Sequence, residues 1–278
     1  MFCNDLVMEV LFEKKYSAIT IIIPCRLDTF ERLENILVVT SYLMDKIDTK
    51  IIVVETNNSG SGIINKHLNK DIDYVFIHDP DPIFYRTYYI NKIAKKVNTQ
   101  AIGIWDTDII IPFEQIQKAI DILKNNETDF VYPYDKLFLD TSPILRRMYL
   151  KEGNMDVLLK NMKKMKEMYP PNPLGGAFLA NMKAYRESGF ENEDFYGWGL
   201  EDGERYYRWG KMGYRIKRVP GPLFHLSHGR GINSTFHDAD QHFNKKRELL
   251  NVIRASNTEK NLCRIDTPLM LKDGSNSV

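Results

Sequence analysis

The fold is decided by Ala101-Ile102-Gly103-Ile104-Trp105-Asp106-Thr107-Asp108-Ile109-Ile110-Ile111-Pro112. Residues 101–105 form a short apolar run of the kind that fills a strand buried on both faces. Two carboxylates one residue apart follow at once, and a run of isoleucines closes the segment. In an open parallel sheet, ligands bind beyond the carboxyl ends of the strands. Asp106 and Asp108, placed at such an end, offer hard oxygen ligands to Mg²⁺ or Mn²⁺. Asp-x-Asp is common in loops, so the pair gains its meaning from the strand before it.

Working outward, Ile19–Ile23 reads as another two-sided strand, which Pro24 is expected to stop. Asp28 and Glu31 have the spacing of a capping box, with Leu33, Ile36, Leu37 and Met44 following at helical intervals. Ile51–Val54, with Glu55 just past it, and Tyr74–Ile77 are strand-like, and Ile90, Ile93, Ala94 and Val97 make a helix face. Downstream, Ile116, Ala119, Ile120 and Leu123 line a further helix before the strand-like Phe130–Tyr132. Such alternation predicts an α/β fold with a Rossmann-like, mostly parallel central sheet flanked by helices.

The alternation fades near residue 135, which divides the chain into residues 1–135, residues 136–262 and a tail, 263–278. Residues 151–168 are Lys- and Met-rich and read as a surface helix, or else as a mobile lid or acceptor-contacting segment. Pro170, Pro171 and Pro173 stop this stretch. From Gly175 to Gly231 the mix of glycine, aromatic and charged residues suits loops that wrap a ligand more than a core. A strand is expected at Arg215–Val219, a basic helix over 241–262, and a frayed end over 273–278.

The net charge of +1 over 278 residues argues against a nucleic-acid binder that works by general phosphate neutralisation. Cys3, Cys25 and Cys263 lack metal-ligand spacing and read as free thiols of a reducing compartment, hence a cytoplasmic location. Asp5, Glu9, Glu13, Lys14 and Lys15 interrupt any signal-peptide core, and no run approaches the ~20 apolar residues of a membrane span. Lys245, Lys246 and Arg247 are either a peripheral contact with the inner membrane face or a solvated helix face. The abundance of Asn, Lys and Ile fits an AT-rich bacterial genome.

Two further constellations carry chemistry. In Phe195-Tyr196-Gly197-Trp198-Gly199-Leu200-Glu201-Asp202 the glycines let backbone approach a ligand, and Trp198 offers a flat face for a sugar ring. Glu201 and Asp202 just before a helix over Gly203–Trp209 are either dipole-favoured acids or carboxylates aimed into a sugar pocket. Gly197 and Gly199 lack the strand–turn–helix context of a dinucleotide fingerprint. His225 and His228, three apart, can face one ion if the backbone curls, and imidazole suits Mn²⁺ or Zn²⁺. His67, His78, His237 and His242 read as loop or surface residues. Arg26 and Arg86, near strand ends, are either phosphate or base contacts or surface cations.

These blocks together resemble the GT-A glycosyltransferases, within them the β-1,4-galactosyltransferases and their relatives, the polypeptide GalNAc-transferases and bacterial chondroitin-type polymerases. Ile23-Pro24-Cys25-Arg26 is similar to the family's Pro-Phe-Arg start, and Phe84-Tyr85-Arg86 to its Phe-Asn-Arg block. Asp106-Thr107-Asp108 matches its Asp-x-Asp, and Gly197–Asp202 its Gly-Trp-Gly-Gly-Glu-Asp block, preceded by Gly175-Gly176. The resemblance implies that residues 1–135 bind the nucleotide-sugar and residues 136–262 carry acceptor binding and catalysis. It implies a metal, Mn²⁺ or Mg²⁺, on Asp108 and His228, with His225 standing where the family has a methionine ligand. It implies a donor pocket that includes Pro24, Arg26, Glu55, Arg86, Asp106, Gly176, Trp198 and Gly199. Asp202 matches the catalytic base and Glu201 a sugar contact. Leu200 departs from a family glycine and Gly203 from a further acid, which leaves the sugar and acceptor open.

The function expected on that resemblance is inverting transfer of galactose or N-acetylgalactosamine from a UDP-sugar to a glycan hydroxyl, free or lipid-linked, in capsule or related polysaccharide synthesis. A retaining enzyme of GalNAc-transferase type and a non-catalytic glycan-binding subunit are the alternatives. A sugar-nucleotide pyrophosphorylase would need a glycine-rich phosphate loop, and Pro24–Phe30 contains no glycine.

Overall fold

The computed structural model describes residues 18–234 and 239–254. Strands β1 (Ile19–Cys25), β2 (Lys50–Asn57), β3 (Asp73–His78) and β4 (Ala101–Trp105) lie parallel in the order β4-β1-β2-β3. Helices α1 (Phe30–Lys46), α2 (Ile63–His67) and α3 (Arg86–Ala94) make the crossovers between them. A short strand β5 (Ile109–Ile110) and helix α4 (Phe113–Lys124) follow, then β6 (Phe130–Tyr132). The chain continues through β7 (Phe138–Asp140), α5 (Pro143–Glu152), α6 (Met155–Leu159) and β8 (Lys166–Glu167). Strand β9 (Ala177–Asn181) then enters the main sheet antiparallel between β4 and β6. After α7 (Met182–Glu187) and α8 (Glu201–Lys211), β10 (Ile216–Arg218) pairs with β6 and closes a seven-stranded sheet. Strand β11 (Leu223–His225) completes a second sheet in the order β5-β11-β7-β8, and α9 (Ala239–Arg254) is the last described helix.

The main sheet is buried on both faces, which is why β1 and β2 read as continuous apolar runs rather than alternating ones. Gly103 stands at its centre because a Cβ there would meet a Leu179 methyl at 2.7 Å. On the β9 side the core is aromatic: Phe130 stacks on Trp209 with ring centres 3.7 Å apart, and Phe178 meets Trp209 edge-on.

Several expectations need correction. Pro24 does not end β1, which runs on to Cys25. The β4 ladder stops at Ile22, so the missing N–H of Pro24 costs no hydrogen bond on that side, and the proline pairs only toward β2. Helix α1 is capped by Thr29, whose hydroxyl accepts from the Arg32 N–H, while Asp28 pairs with Arg32 at 2.8 Å. Residues 151–168 are not one helix. Gly153, left-handed at φ 64°, ends α5; Asn154 caps the short α6, and Lys166–Glu167 joins the second sheet. Residues 175–231 are not loop alone, since they also supply β9 to the middle of the main sheet and bury Phe178, Phe195, Trp209 and Phe224. Glu201 and Asp202 open α8 rather than precede it, and the strand expected at Arg215–Val219 is shortened to Ile216–Arg218. Within 241–262 the described helix ends at Arg254; Cys3, His237, Cys263 and the 263–278 tail lie outside the described residues.

Candidate active site

The second sheet assembles the site through its register. Strand β11 sets His225 opposite Ile109 of β5 on one side and opposite Asp140 of β7 on the other. Ile109 directly follows Asp108, and the Leu226 N–H donates to the Asp108 carbonyl at 2.7 Å. Three residues distant in sequence are thereby brought side by side. His225 Nε2 lies 3.7 Å and His228 Nε2 3.1 Å from the Asp108 carboxylate.

The other nitrogen of each ring is engaged elsewhere. His225 Nδ1 is 2.7 Å from Asp140 Oδ1, and His228 Nδ1 is 2.7 Å from the Gly229 carbonyl oxygen. Each acceptor faces Nδ1, so Nε2 is the nitrogen turned toward Asp108, the one that would give up its proton and offer a lone pair to an ion. Burial acts to raise the Asp108 pKa, but His225, His228 and Arg32 outweigh it and hold the carboxylate ionised. Burial acts to lower His225, and Asp108 with Asp140 turn the balance upward. One carboxylate oxygen and two imidazole nitrogens, mutually within 4.8 Å, form a donor set fitted to a divalent transition ion. It is the one such cluster found among the described residues.

The cluster forms part of the wall of a cleft of about 420 Å³. Pro24, Arg86, Asp106, Gly176, Trp198, Gly199, Glu201 and Asp202 line the same cleft, at the carboxyl ends of the parallel strands. Arg86, at the start of α3, donates to Asp106 at 2.5 Å and feels the charges of Asp202 and Glu201 as well. Asp202 accepts from Arg205 at 2.5 Å through Oδ1. Its Oδ2 lies where a Cβ on Gly175 would come within 2.6 Å, so Gly175 leaves the space this carboxylate occupies. Arg205 is itself fixed by the fully buried Glu191 at 2.6 Å and lies over the Phe178 ring.

Glu201 is buried, and its Oε2 has no hydrogen-bond partner among the described residues. Burial, then the neighbouring Asp202 charge, pushes its pKa up to about 7. The loop before it holds Gly197 at φ 74°, Gly199 at φ 100° and Leu200 at φ 72°. Leu200 therefore takes a left-handed conformation that suits glycine better than a branched side chain.

Arg26 and Glu55 are not among the cleft-lining residues. Arg26 is buried and directed at the loop after β3, with the Thr56 carbonyl, the Asp81 carbonyl and Asp79 Oδ2 as acceptors. Glu55 is buried and accepts from the Tyr74 hydroxyl at 2.6 Å. Sequence reasoning passed over Asp140 and Arg32, and read Lys245 as a membrane contact or a solvated cation rather than a residue near the cleft. Asp140 shows itself only through strand register, which a lone acid after a short apolar run does not signal. Lys245 is buried at 3% exposure, whereas Lys246 and Arg247 are exposed, so the three cations do not share one solvated face. A second cavity, of about 630 Å³, opens at the opposite ends of the strands; among the described residues no carboxylate lines it.

Residues 157–231 match the family model described as the N-terminal domain of galactosyltransferase. That segment holds Gly175, Gly176, the Trp198–Asp202 loop and both histidines, while Asp106 and Asp108 lie outside it. No curated protein matches by sequence. Among solved structures, the catalytic domain of Drosophila beta1,4galactosyltransferase 7, in complex with xylobiose, superposes with a TM-score of 0.53. The similarity covers 82% of this chain and 79% of that one at 16% identity.

The chain has the GT-A glycosyltransferase fold.

Glucosyl-3-phosphoglycerate synthase from Mycobacterium tuberculosis, solved with Mn²⁺, UDP and glucosyl-3-phosphoglycerate, also matches, at 14% identity and a TM-score of 0.49. That similarity covers 84% of this chain and 78% of that one. In the GT-A fold of this chain the Asp-Thr-Asp segment follows β4, and the Trp198–Leu200 loop leads into α8, whose first residues are Glu201 and Asp202. No described helix is long and apolar enough to cross a membrane.

Proposed function

We propose that the protein is a metal-dependent, inverting glycosyltransferase. It would move galactose or N-acetylgalactosamine from a UDP-sugar to a hydroxyl of a growing bacterial surface glycan. The observation that carries this reading is the meeting, in one cleft, of the Asp108–His225–His228 cluster with Glu201 and Asp202. The partial family match over residues 157–231 supports the galactosyl type.

Asp108, His225 and His228 would hold the divalent ion, which supplies Lewis-acid stabilisation to the charge that builds on a departing diphosphate. Arg86, fixed by Asp106, keeps a cation in the donor cleft. Trp198 and the glycines about it offer a flat face and open backbone to the sugar. Asp202 is the base. Arg205 occupies one of its oxygens, and the other oxygen faces the space beside Gly175. The acceptor oxygen forms its bond to the anomeric carbon as its proton passes to Asp202. The bond from that carbon to the phosphate oxygen breaks, and UDP leaves with the electron pair. One carboxylate acting on the acceptor, with no second covalent step, inverts the anomeric centre.

The test is release of UDP from a panel of UDP-sugars by wild type and Asp202→Asn. Turnover of UDP-galactose or UDP-N-acetylgalactosamine is expected, with kcat lowered by about 10²–10⁴ in the variant and UDP affinity kept. Equal turnover by the two proteins would remove Asp202 from the role of base.

A further inference from the structure

The last described helix reaches the catalytic loop. Lys245, halfway along α9, is 3% exposed, and its ammonium donates to the Trp198 carbonyl at 2.8 Å. One turn earlier, the Gln241 amide donates to the Tyr196 carbonyl at 2.9 Å. Leu249, one turn later, lies against Gly203 in the first turn of α8. Lys245, Gln241 and Leu249 therefore follow the loop from Tyr196 to the start of α8, which carries Trp198, Glu201 and Asp202 into the cleft.

A lysine is almost never fully buried without something to receive its charge. Lys245 has the Trp198 carbonyl, and it lies close enough to Glu201 for each charge to act on the other. Burial lowers its pKa to about 8, with Glu201 opposing, so the ammonium persists at neutral pH. The loop it holds has left-handed residues at Gly197, Gly199 and Leu200, a shape that needs support from outside its own span.

We infer that Lys245, assisted by Gln241, is a positioning residue of the active site, holding the sugar-facing loop through its backbone carbonyls. Its functional part rests on the glycosyltransferase reading, while its structural part can be measured without it.

The experiment compares full-length wild type, Lys245→Met, Lys245→Arg and Gln241→Leu by amide hydrogen exchange. Mn²⁺-dependent UDP binding and turnover of UDP-galactose are measured alongside. In Lys245→Met, exchange is expected to rise several-fold in peptides spanning 195–203 and to stay unchanged in the β1 and β2 peptides. UDP affinity should remain within about threefold, because the metal cluster is untouched. Turnover should fall about 10–100-fold, as expected for a displaced catalytic group, and Lys245→Arg should recover most of it. If Lys245→Met does not fold, Gln241→Leu must show the same local rise in exchange on a smaller scale. Unchanged exchange at 195–203 in the folded variants would overturn the inference. So would a uniform rise across the sheet with UDP affinity lost in proportion, which marks a role in the fold alone. A wild type that turns over no UDP-sugar would count against the proposed activity, and the exchange pattern would still decide the place of Lys245.

Discussion

Asp140 and the carbonyl of Gly229 decide which nitrogen each histidine turns toward Asp108. Groups that orient a metal-binding histidine typically contribute 10–100-fold to metal affinity. Asp140→Ala is therefore expected to weaken metal affinity by about that factor, read by titration of Mn²⁺ in the presence of UDP. An unchanged affinity would show that β-strand register alone orients the ring. Glu201 makes a second test at this scale. A carboxyl group whose folded pKa is raised binds protons better in the folded state. Its contribution to stability is complete below the ordinary value of 4.5 and is lost as pH rises through about 7. Glu201→Gln has no charge to bury, so its melting temperature relative to wild type should climb between pH 5 and pH 8. A constant difference across that range would mean that Glu201 ionises as readily in the fold as in the open chain.

Among the elements, α8 does the most to join core and site. Its first turn presents Glu201 and Asp202, its middle buries Arg205, and Trp209 packs into the aromatic core. Arg205 links the buried Glu191 to Asp202, the proposed base, with hydrogen bonds of 2.6 and 2.5 Å. Burial alone would raise the pKa of Glu191; Arg205, Arg86 and the Tyr185 hydroxyl together bring it below the ordinary carboxyl value. Arg205→Met would leave Glu191 charged and unpaired, and losing one partner of a buried pair typically costs 3–5 kcal/mol. Urea denaturation at pH 7 should register a loss of about that size. A loss below about 1 kcal/mol would place the pair in the class of exposed salt bridges instead.

Across the whole molecule, the sequence was most legible where period and burial agree. The limits of β4 and β6 could be read directly, because Ala101–Trp105 lies between Gln100 and Asp106 and Phe130–Tyr132 between Asp129 and Pro133. Strand β9 was hidden because Ala177–Asn181 follows a proline- and glycine-rich stretch and pairs antiparallel with strands far away in sequence. At the site, Asp108, His225, His228 and Asp202 stood out as chemistry-bearing side chains in short motifs. Asp140 and Lys245 carry no local signal, since strand register places one and helix packing the other.

The measurement that bears most directly on a metal-assisted donor site is calorimetric titration of UDP in Mn²⁺ and again after EDTA, for wild type and Asp108→Ala. Micromolar binding, about −8 kcal/mol, is expected for wild type in Mn²⁺, and little or none after EDTA or in the variant. UDP binding that is equally tight without metal, or in Asp108→Ala, would contradict the assignment of Asp108, His225 and His228 to the ion that holds the diphosphate.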